Sequence, residues 1–409
     1  MAAMNPAADL PLLTGELPGI GGRIKEHLGD FRVEELPLYE PSGEGTHVYF
    51  SVRKAGVGTP EAVARIARHM SVRAHEIGLA GLKDARAVTT QTMSLEHADP
   101  RRLAAYHDAQ VSVEVLALHT NKLRPGHLRA NRFTIRIRGV GPAELPRAET
   151  VLDVLSRRGV PNYFGPQRFG ARGDTGSLGE ALVRDNPEEF VAIFLGRPDP
   201  GDPPDCKAAR DAFDTGYLDR CLKRWPRHYA NERKAVAAFK KRRRPADALR
   251  AIDKGRKRLY VSAFQSAIFN EILAARIETF DRVLAGDLAR KADRGGIFSV
   301  EDPEAERPRA EAFEISPTGA VVGYRSHLAT GEPGRIEAET LARRGIAPED
   351  FKHLRGIRPK GTRRALRFRL HEPRLAAGTD EHGEYVQFTF SAASGCYATV
   401  ALREIMKND

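Results

Sequence analysis

The chain has 409 residues, 41% of them hydrophobic and 29% charged. That balance supplies two or three cores at about 150 residues each and excludes a disordered chain. No run approaches the roughly 18 apolar residues of a membrane-spanning helix, and the net charge of +11 points to a polyanionic partner. The N-terminus MAAMNPAADLPLLTGELPG lacks the basic start and apolar stretch of a secretory signal. The three cysteines, Cys206, Cys221 and Cys396, form no CxxC pair, which argues against a disulfide scaffold and a cysteine-rich zinc site. A reducing cytoplasm is the expected location.

In chain order, residues 46–52 (THVYFSV) alternate apolar and polar and predict a strand. Thr59 as N-cap and Pro60 in the first turn open a helix with Val63, Ile66, Ala67 and Met70 on one face. Two short apolar runs, 77–80 and 87–95, flank GLKDAR (81–86) and predict strand, turn, strand. Residues 132–138 (RFTIRIR) have a strict period of two; GVGPAELP breaks the pattern, and a helix follows over 147–157. Residues 198–204 read as a loop. Basic helices come next, then a helix over 263–284 with Phe264, Ala267, Ile268 and Ile272 sharing a face. An acidic, exposed, proline-containing stretch is expected at 301–314, a helix at 334–345, and one or two strands at 386–402. Strands at both ends and a helical, basic middle predict an α/β (α+β) fold whose first domain is interrupted by an insertion.

The charge is concentrated. Residues 220–258 hold 16 basic residues against Glu232, Asp247 and Asp253, a local net of +13 that leaves the rest of the chain slightly acidic. A second run, 352–374, has nine basic residues against Glu372. Such runs suit a nucleic acid, although a solvated helical face has the same composition.

Several chemistries are missing from the sequence. It has no GxxxxGK[ST] phosphate loop, no HExxH and no GxSxG. Gly19–Gly22 formally fits the GXXG of an RNA-binding KH domain, a short match in a glycine-containing loop. The informative stretch is AGLKDARAVTTQ (80–91), which sets Asp84 in a turn between Lys83 and Arg86. Aspartate is a common turn residue. Beside cations, a carboxylate is also suited to act as nucleophile or base.

GLKDARAVTTQ resembles the GxKDxxAxTxQ signature of the TruD family of pseudouridine synthases. EGTH (44–47), HLRANRF (127–133), NYFGPQRFG (162–170), AFQSAIFN (263–270), SPTG (316–319) and SGCYATVALRE (394–404) resemble further family blocks, in family order. The resemblance implies a pseudouridine-synthase catalytic domain with a mixed, largely antiparallel sheet, interrupted by an inserted α/β TRUD domain. The expected boundaries are 1–160 plus 345–409 for the catalytic domain and 161–344 for the insertion. Two departures stand out: FSAASGCYAT (390–399) replaces a pattern nearer FxLPxGSYAT, and 199–258 is longer than in compact bacterial members.

The resemblance also implies the reaction: isomerisation of uridine to pseudouridine in tRNA, at uridine 13 of the D-arm. The reaction loses no atoms and involves no redox change, so its stoichiometry needs neither cofactor nor metal. Asp84 is the implied catalytic carboxylate, with Lys25 or Arg403 as candidate cationic partners. Phe133 resembles the family's stacking aromatic, with Asn131 as its polar companion; alternation along 132–138 also places Phe133 with Ile135 and Ile137 on a buried face. Lys83, Asn162, Gln167 and Arg168 are candidate RNA contacts, the last three equally suited to a structural role. Lys240, Lys241, Arg242, Arg243 and Arg244 are the candidate phosphate grip. A monomer with tRNA as its partner is expected. A non-catalytic RNA-binding factor and a basic nuclease are the competing readings, and the second predicts strand scission or base loss.

Overall fold

The computed structural model describes residues 10–354 and 356–408 and divides the chain into two units. The first, Thr14–Val160 with Phe368–Asp409, is built on an eight-stranded sheet. Its strands are β1 (Phe31–Pro37), β2 (His47–Ala55), β3 (Gly78–Leu79), β4 (Val88–Glu96), β5 (Val111–His119), β6 (Leu128–Arg138) and the C-terminal pair His371–Asp380 and Gly383–Ala393. From one edge the order is His371–Asp380, Gly383–Ala393, β6, β1, β4, β2, β5, with β3 also on β4. Only β1 and β4 pair in parallel, Arg32 opposite Val88. The remaining pairs are antiparallel, giving the mixed, largely antiparallel sheet that the family resemblance implies.

Strand alternation sorts the side chains. On one half of the sheet Val48, Phe50 and Val52 of β2, with Met93 and Leu95 of β4, bury against helix α1 (Thr59–Met70) through Ala62, Val63, Ile66, Ala67 and Met70. The short helix α2 (Pro100–Ala104) follows, and helix α3 (Leu145–Arg158) packs on the strand His371–Asp380 and on the helix Ala398–Met406. Phe133, Ile135 and Ile137 of β6 are buried in register with Phe390, Phe388 and Val386. Phe133 stacks on Phe390 at 5.2 Å and meets the edge of Phe31 at 6.4 Å. Phe133→Ala would leave a cavity there and should cost about 3–5 kcal/mol in denaturant unfolding.

An ion-pair network closes this unit. Arg138 is 2% exposed and donates to Asp30 Oδ1 at 2.5 Å and to Asp380 at 2.6 and 2.8 Å; Arg136 adds a 2.6 Å contact to Asp380. The Arg138 hydrogen bonds hold the Asp380 carboxyl far below the usual carboxylate range. A depressed carboxylate contributes its stability above the unfolded-state pKa of about 3.9, and that share is lost as the pH falls through the folded value.

The second unit spans Pro161–Arg367 together with the described residues before Thr14. Its axis is the 22-residue helix Lys254–Ala275, buried around nearly its whole circumference from Tyr260 to Leu273. The helix Thr175–Val183 lies so close to it that a Cβ on Gly179 would come within 2.1 Å of the Tyr260 carbonyl oxygen. Helices Pro187–Leu195, Pro204–Asp214, Leu218–Arg224, Ala230–Arg242 and Pro245–Arg250 fill the basic half. An antiparallel sheet, ordered Thr362–Ala365, Ile315–Val321, Leu288–Lys291, Ile297–Ser299, forms the rest.

Several sequence expectations are corrected. Gly58, not Thr59, is the N-cap of α1; Thr59 is its first residue, and its hydroxyl is engaged elsewhere. The helix expected at 263–284 runs from Lys254 to Ala275. It stops where Arg276 turns to bond Asp287 at 3.0 and 3.2 Å. Residues 386–402 are not all strand: after Gly383–Ala393 the chain forms the helix Ala398–Met406. The stretch 301–314 is largely exposed as expected, and within it Asp302 accepts N–H bonds from Glu304 and Ala305 and caps the helix Pro303–Glu311. The turn at Gly19–Gly22 packs on the C-terminal helix, Ile20 N–H bonding Ile405 O at 3.0 Å, which is not a nucleic-acid loop. The chain returns to the first unit after Arg367, not at 345. Gly345 only ends the helix Gly331–Arg343 with a positive φ of 55°. Beyond it Phe351 and Leu354 bury in the second unit's core, and Thr362–Ala365 joins its sheet.

Candidate active site

The loop between β3 and β4 is held by side chains. Gln91 on β4 is 1% exposed, and its Nε2 donates to Gly81 O at 3.0 Å. Its Oε1 accepts the Thr59 hydroxyl at 2.8 Å, and Thr59 Oγ1 in turn accepts Lys83 N–H at 2.9 Å. Lys83 Nζ reaches Glu35 Oε2 at 2.7 Å, with side chains 7% and 1% exposed. Breaking such a buried pair by removing one partner costs about 3–5 kcal/mol. Lys54, fully buried on β2, donates to Val57 O at 2.7 Å, Lys83 O at 3.3 Å and Asp84 O at 2.8 Å. Small Ala87 and Thr89, both at 0% exposure, let the loop enter β4 tightly.

This scaffold presents Asp84. Its side chain is 42% exposed, and Oδ2 lies 2.9 Å from Lys25 Nζ. Lys25 adopts a left-handed backbone, φ +60°, a conformation that non-glycine residues hold at a cost and that is typical of functional positions. Its ammonium also lies 4.3 Å from the centroid of the Phe31 ring, a cation–π contact. Phe31 continues into Phe133 and Phe390, so a carboxylate, a cation and an aromatic cluster adjoin. Asn131 sits on β6 opposite Glu35 and Ala392, its amide oxygen without a hydrogen-bond partner. An accessible carboxylate with a compensating cation beside an aromatic ring can attack a sugar carbon or take a proton from it next to a bound base.

The sequence-derived residues divide accordingly. Lys25 is a cation that sits on Asp84, Phe133 is linked to Lys25 through Phe31, and Asn131 lies two residues before Phe133 on β6, opposite Glu35. Lys83 is a support for the loop, buried on Glu35, and not an RNA contact. Asn162 is 6% exposed, its amide donating to Ala365 O at 2.9 Å and accepting from Arg364, so it ties two segments of the second unit together. Arg168 docks on the long helix through Ser266 at 3.1 Å and Ser262. Gln167 is exposed on the short turn Pro166–Phe169. Lys240 pairs with Asp219, while Lys241, Arg242, Arg243 and Arg244 are exposed and in no ion pair among the described residues.

Glu35 and Lys54 were missed by sequence reasoning, and a signal existed for both. Glu35 is in phase with buried Phe31 and Val33 on β1, and Lys54 with Val48, Phe50 and Val52 on β2. A charge in phase with a buried face has a partner inside.

The family model of tRNA pseudouridine synthase D (TruD) matches residues 8–405. This chain belongs to that family. Its members isomerise uridine in tRNA, and the eight-stranded mixed sheet with its inserted unit is the expected architecture. The tRNA pseudouridine synthase D of Geobacter metallireducens is 43% identical over 97% of both chains. That of Geobacter sulfurreducens is 41% identical over 98% of this chain and 97% of its own. The crystal structure of a putative tRNA pseudouridine synthase D from Methanosarcina mazei superposes with a TM-score of 0.84 at 28% identity, covering 100% of this chain and 99% of that one. Among the described residues no helix is long and apolar enough to cross a membrane.

Proposed function

We propose that this family member isomerises uridine 13 in the D-arm of tRNA, with Asp84 as the catalytic carboxylate. The observation that carries the reading is the Asp84 carboxylate, half exposed and 2.9 Å from the Lys25 ammonium, on a loop pinned by four side chains. In the reaction the N1–C1′ bond breaks, the uracil turns, and C5 bonds to C1′; C5 loses its proton and N1 gains one. Asp84 attacks or deprotonates at the sugar, and Lys25 compensates its charge and aims it. Extruding the target base costs a few kcal/mol, and stacking on an aromatic ring returns about 1–3 kcal/mol. Phe133 is the proposed stacking ring. At 9% exposure it offers an edge of the Phe31–Phe133–Phe390 cluster while serving the core. The unused amide of Asn131 is the polar group for the base. The Pro161–Arg367 unit holds the tRNA backbone through its basic helices, and the enzyme acts in the cytoplasm as a monomer.

The test is a pseudouridine map of tRNA from cells with and without this gene. Loss of the modification at position 13 alone is the expected result. Loss at another uridine would move the target, and unchanged maps would sink the reading.

A further inference from the structure

Lys54 differs from the other buried cations of its unit. Arg138 has Asp30 and Asp380, whereas no carboxylate pairs with Lys54 among the described residues. Its position on β2 continues the buried series Val48, Phe50, Val52, where an apolar side chain would bury without penalty. Instead an ammonium with three donors meets three carbonyl oxygens, those of Val57, Lys83 and Asp84. We propose that Lys54 is a positioning residue for the isomerisation: its ammonium gathers these carbonyls and so fixes where the Asp84 carboxylate points. The inference rests on Asp84 being the catalytic group.

The division of labour around the loop supports it. Gln91 and Thr59 hold Gly81 and the Lys83 N–H, upstream of the carboxylate. Lys54 acts on the carbonyl of Asp84 itself and on the peptide before it. Without the ammonium the Asp84 and Lys83 carbonyls lose the bonds it makes, Lys83 O keeping the Thr59 hydroxyl at 3.4 Å, and the loop loosens towards water. Opening would draw Asp84 off Lys25, and a shift of about 1 Å at a reacting group costs about 100-fold in rate.

The group also confers a pH dependence whose sign separates positioning from folding. Burial pulls the Lys54 pKa down to about 8; the Asp84 charge opposes this fall and Lys83 reinforces it. From the neighbouring strands it faces Thr89 of β4 and Val111 of β5, both uncharged. Glu35 on Lys83 and Lys25 on Asp84 are the charges one step further out. Above about pH 8 the neutral amine offers two donors to three carbonyls, so the loop loosens. Between that value and the ordinary 10.5 the unfolded chain binds the extra proton, so this group makes global stability rise with pH. Activity should therefore fall while the fold stays intact.

The experiment compares wild type, Lys54→Met and Asp84→Asn on the same tRNA transcript, under single turnover with saturating enzyme, across pH 6 to 10. Lys54→Met keeps the apolar stem and removes the ammonium. It should slow the reaction about 100-fold, with tRNA affinity within about threefold of wild type and without the alkaline limb near pH 8. A folded Lys54→Met enzyme at nearly the wild-type rate, beside an inactive Asp84→Asn, would overturn the positioning role alone. An active Asp84→Asn would overturn the catalytic assignment and this inference with it. Should Lys54→Met fail to fold, the wild-type profile decides. A single fall centred near pH 8 with unchanged circular dichroism supports the role, and a flat rate through pH 9.5 excludes it.

Discussion

Asp84→Asn should abolish isomerisation while leaving the protein folded and its tRNA affinity nearly unchanged. The amide is close to isosteric, and the loop beneath it keeps all its supports. Lys54, Lys83, Thr59 and Gln91 act through backbone groups or through Glu35, none through the Asp84 carboxylate. Lys25 retains an oxygen to which it can donate. The substitution removes the ability to attack at C1′ or accept its proton, and with it the charge that Lys25 compensates. Loss of the reacting group itself should cost several orders of magnitude, each tenfold being about 1.4 kcal/mol of barrier. Single-turnover conversion at saturating enzyme measures the chemical step apart from binding and product release. Residual activity within about tenfold of wild type would exclude Asp84 as the catalytic group.

The same residues show which parts of the molecule are legible in the sequence. Elements with a sustained period and clear ends, such as β6 and the helices at 59–70 and 145–158, are found where alternation or the 3.6-residue stripe sets them. The C-terminal ATVALREIM is short and rich in small and branched apolar residues, and its pattern fits either period; packing against α3 decides for helix. The helix Lys254–Ala275 shows a face at Phe264, Ala267, Ile268 and Ile272, but it is buried around nearly its whole circumference from 260 onward, so that stripe does not mark where it begins or ends. Its end depends on an Arg276–Asp287 pair eleven residues apart. Such tertiary contacts leave no local mark. In the site, Asp84 is legible because its motif is compact. Its partner Lys25 comes from a separate segment, 59 residues earlier, and only the fold brings the two together. Asn162 shows why the sequence left two roles open: a polar residue in a recognisable block suits a ligand, while burial here gives its amide Ala365 O and Arg364 to satisfy.

Replacing Lys240, Lys241, Arg242, Arg243 and Arg244 with glutamine should flatten the salt dependence of RNA binding without stopping the chemistry. Each phosphate contact displaces condensed counterions, so log affinity falls against log salt with a slope of about −0.7 to −0.9 per neutralised phosphate. Lys240 is partly compensated by Asp219, which leaves four exposed cations without an acidic partner among the described residues at the end of the helix Ala230–Arg242. If three of them touch phosphates, the slope should become shallower by roughly 2 to 3 units. Phosphate contacts position RNA without reading its bases, so affinity should drop alike for cognate and non-cognate RNAs. There is a competing structural reason for cations here: the C-terminal end of a helix favours positive charge by about 0.3–1 kcal/mol. On that account glutamine costs a little helix stability and leaves the slope unchanged. Titrations at four or five salt concentrations, alongside thermal melts, separate the two. The chemical step, measured at low salt with enzyme in excess, should stay near wild type, because Asp84 and its supports all lie outside the basic segment. A lowered melting temperature with an unaltered slope would assign this cluster to the helix end and not to RNA.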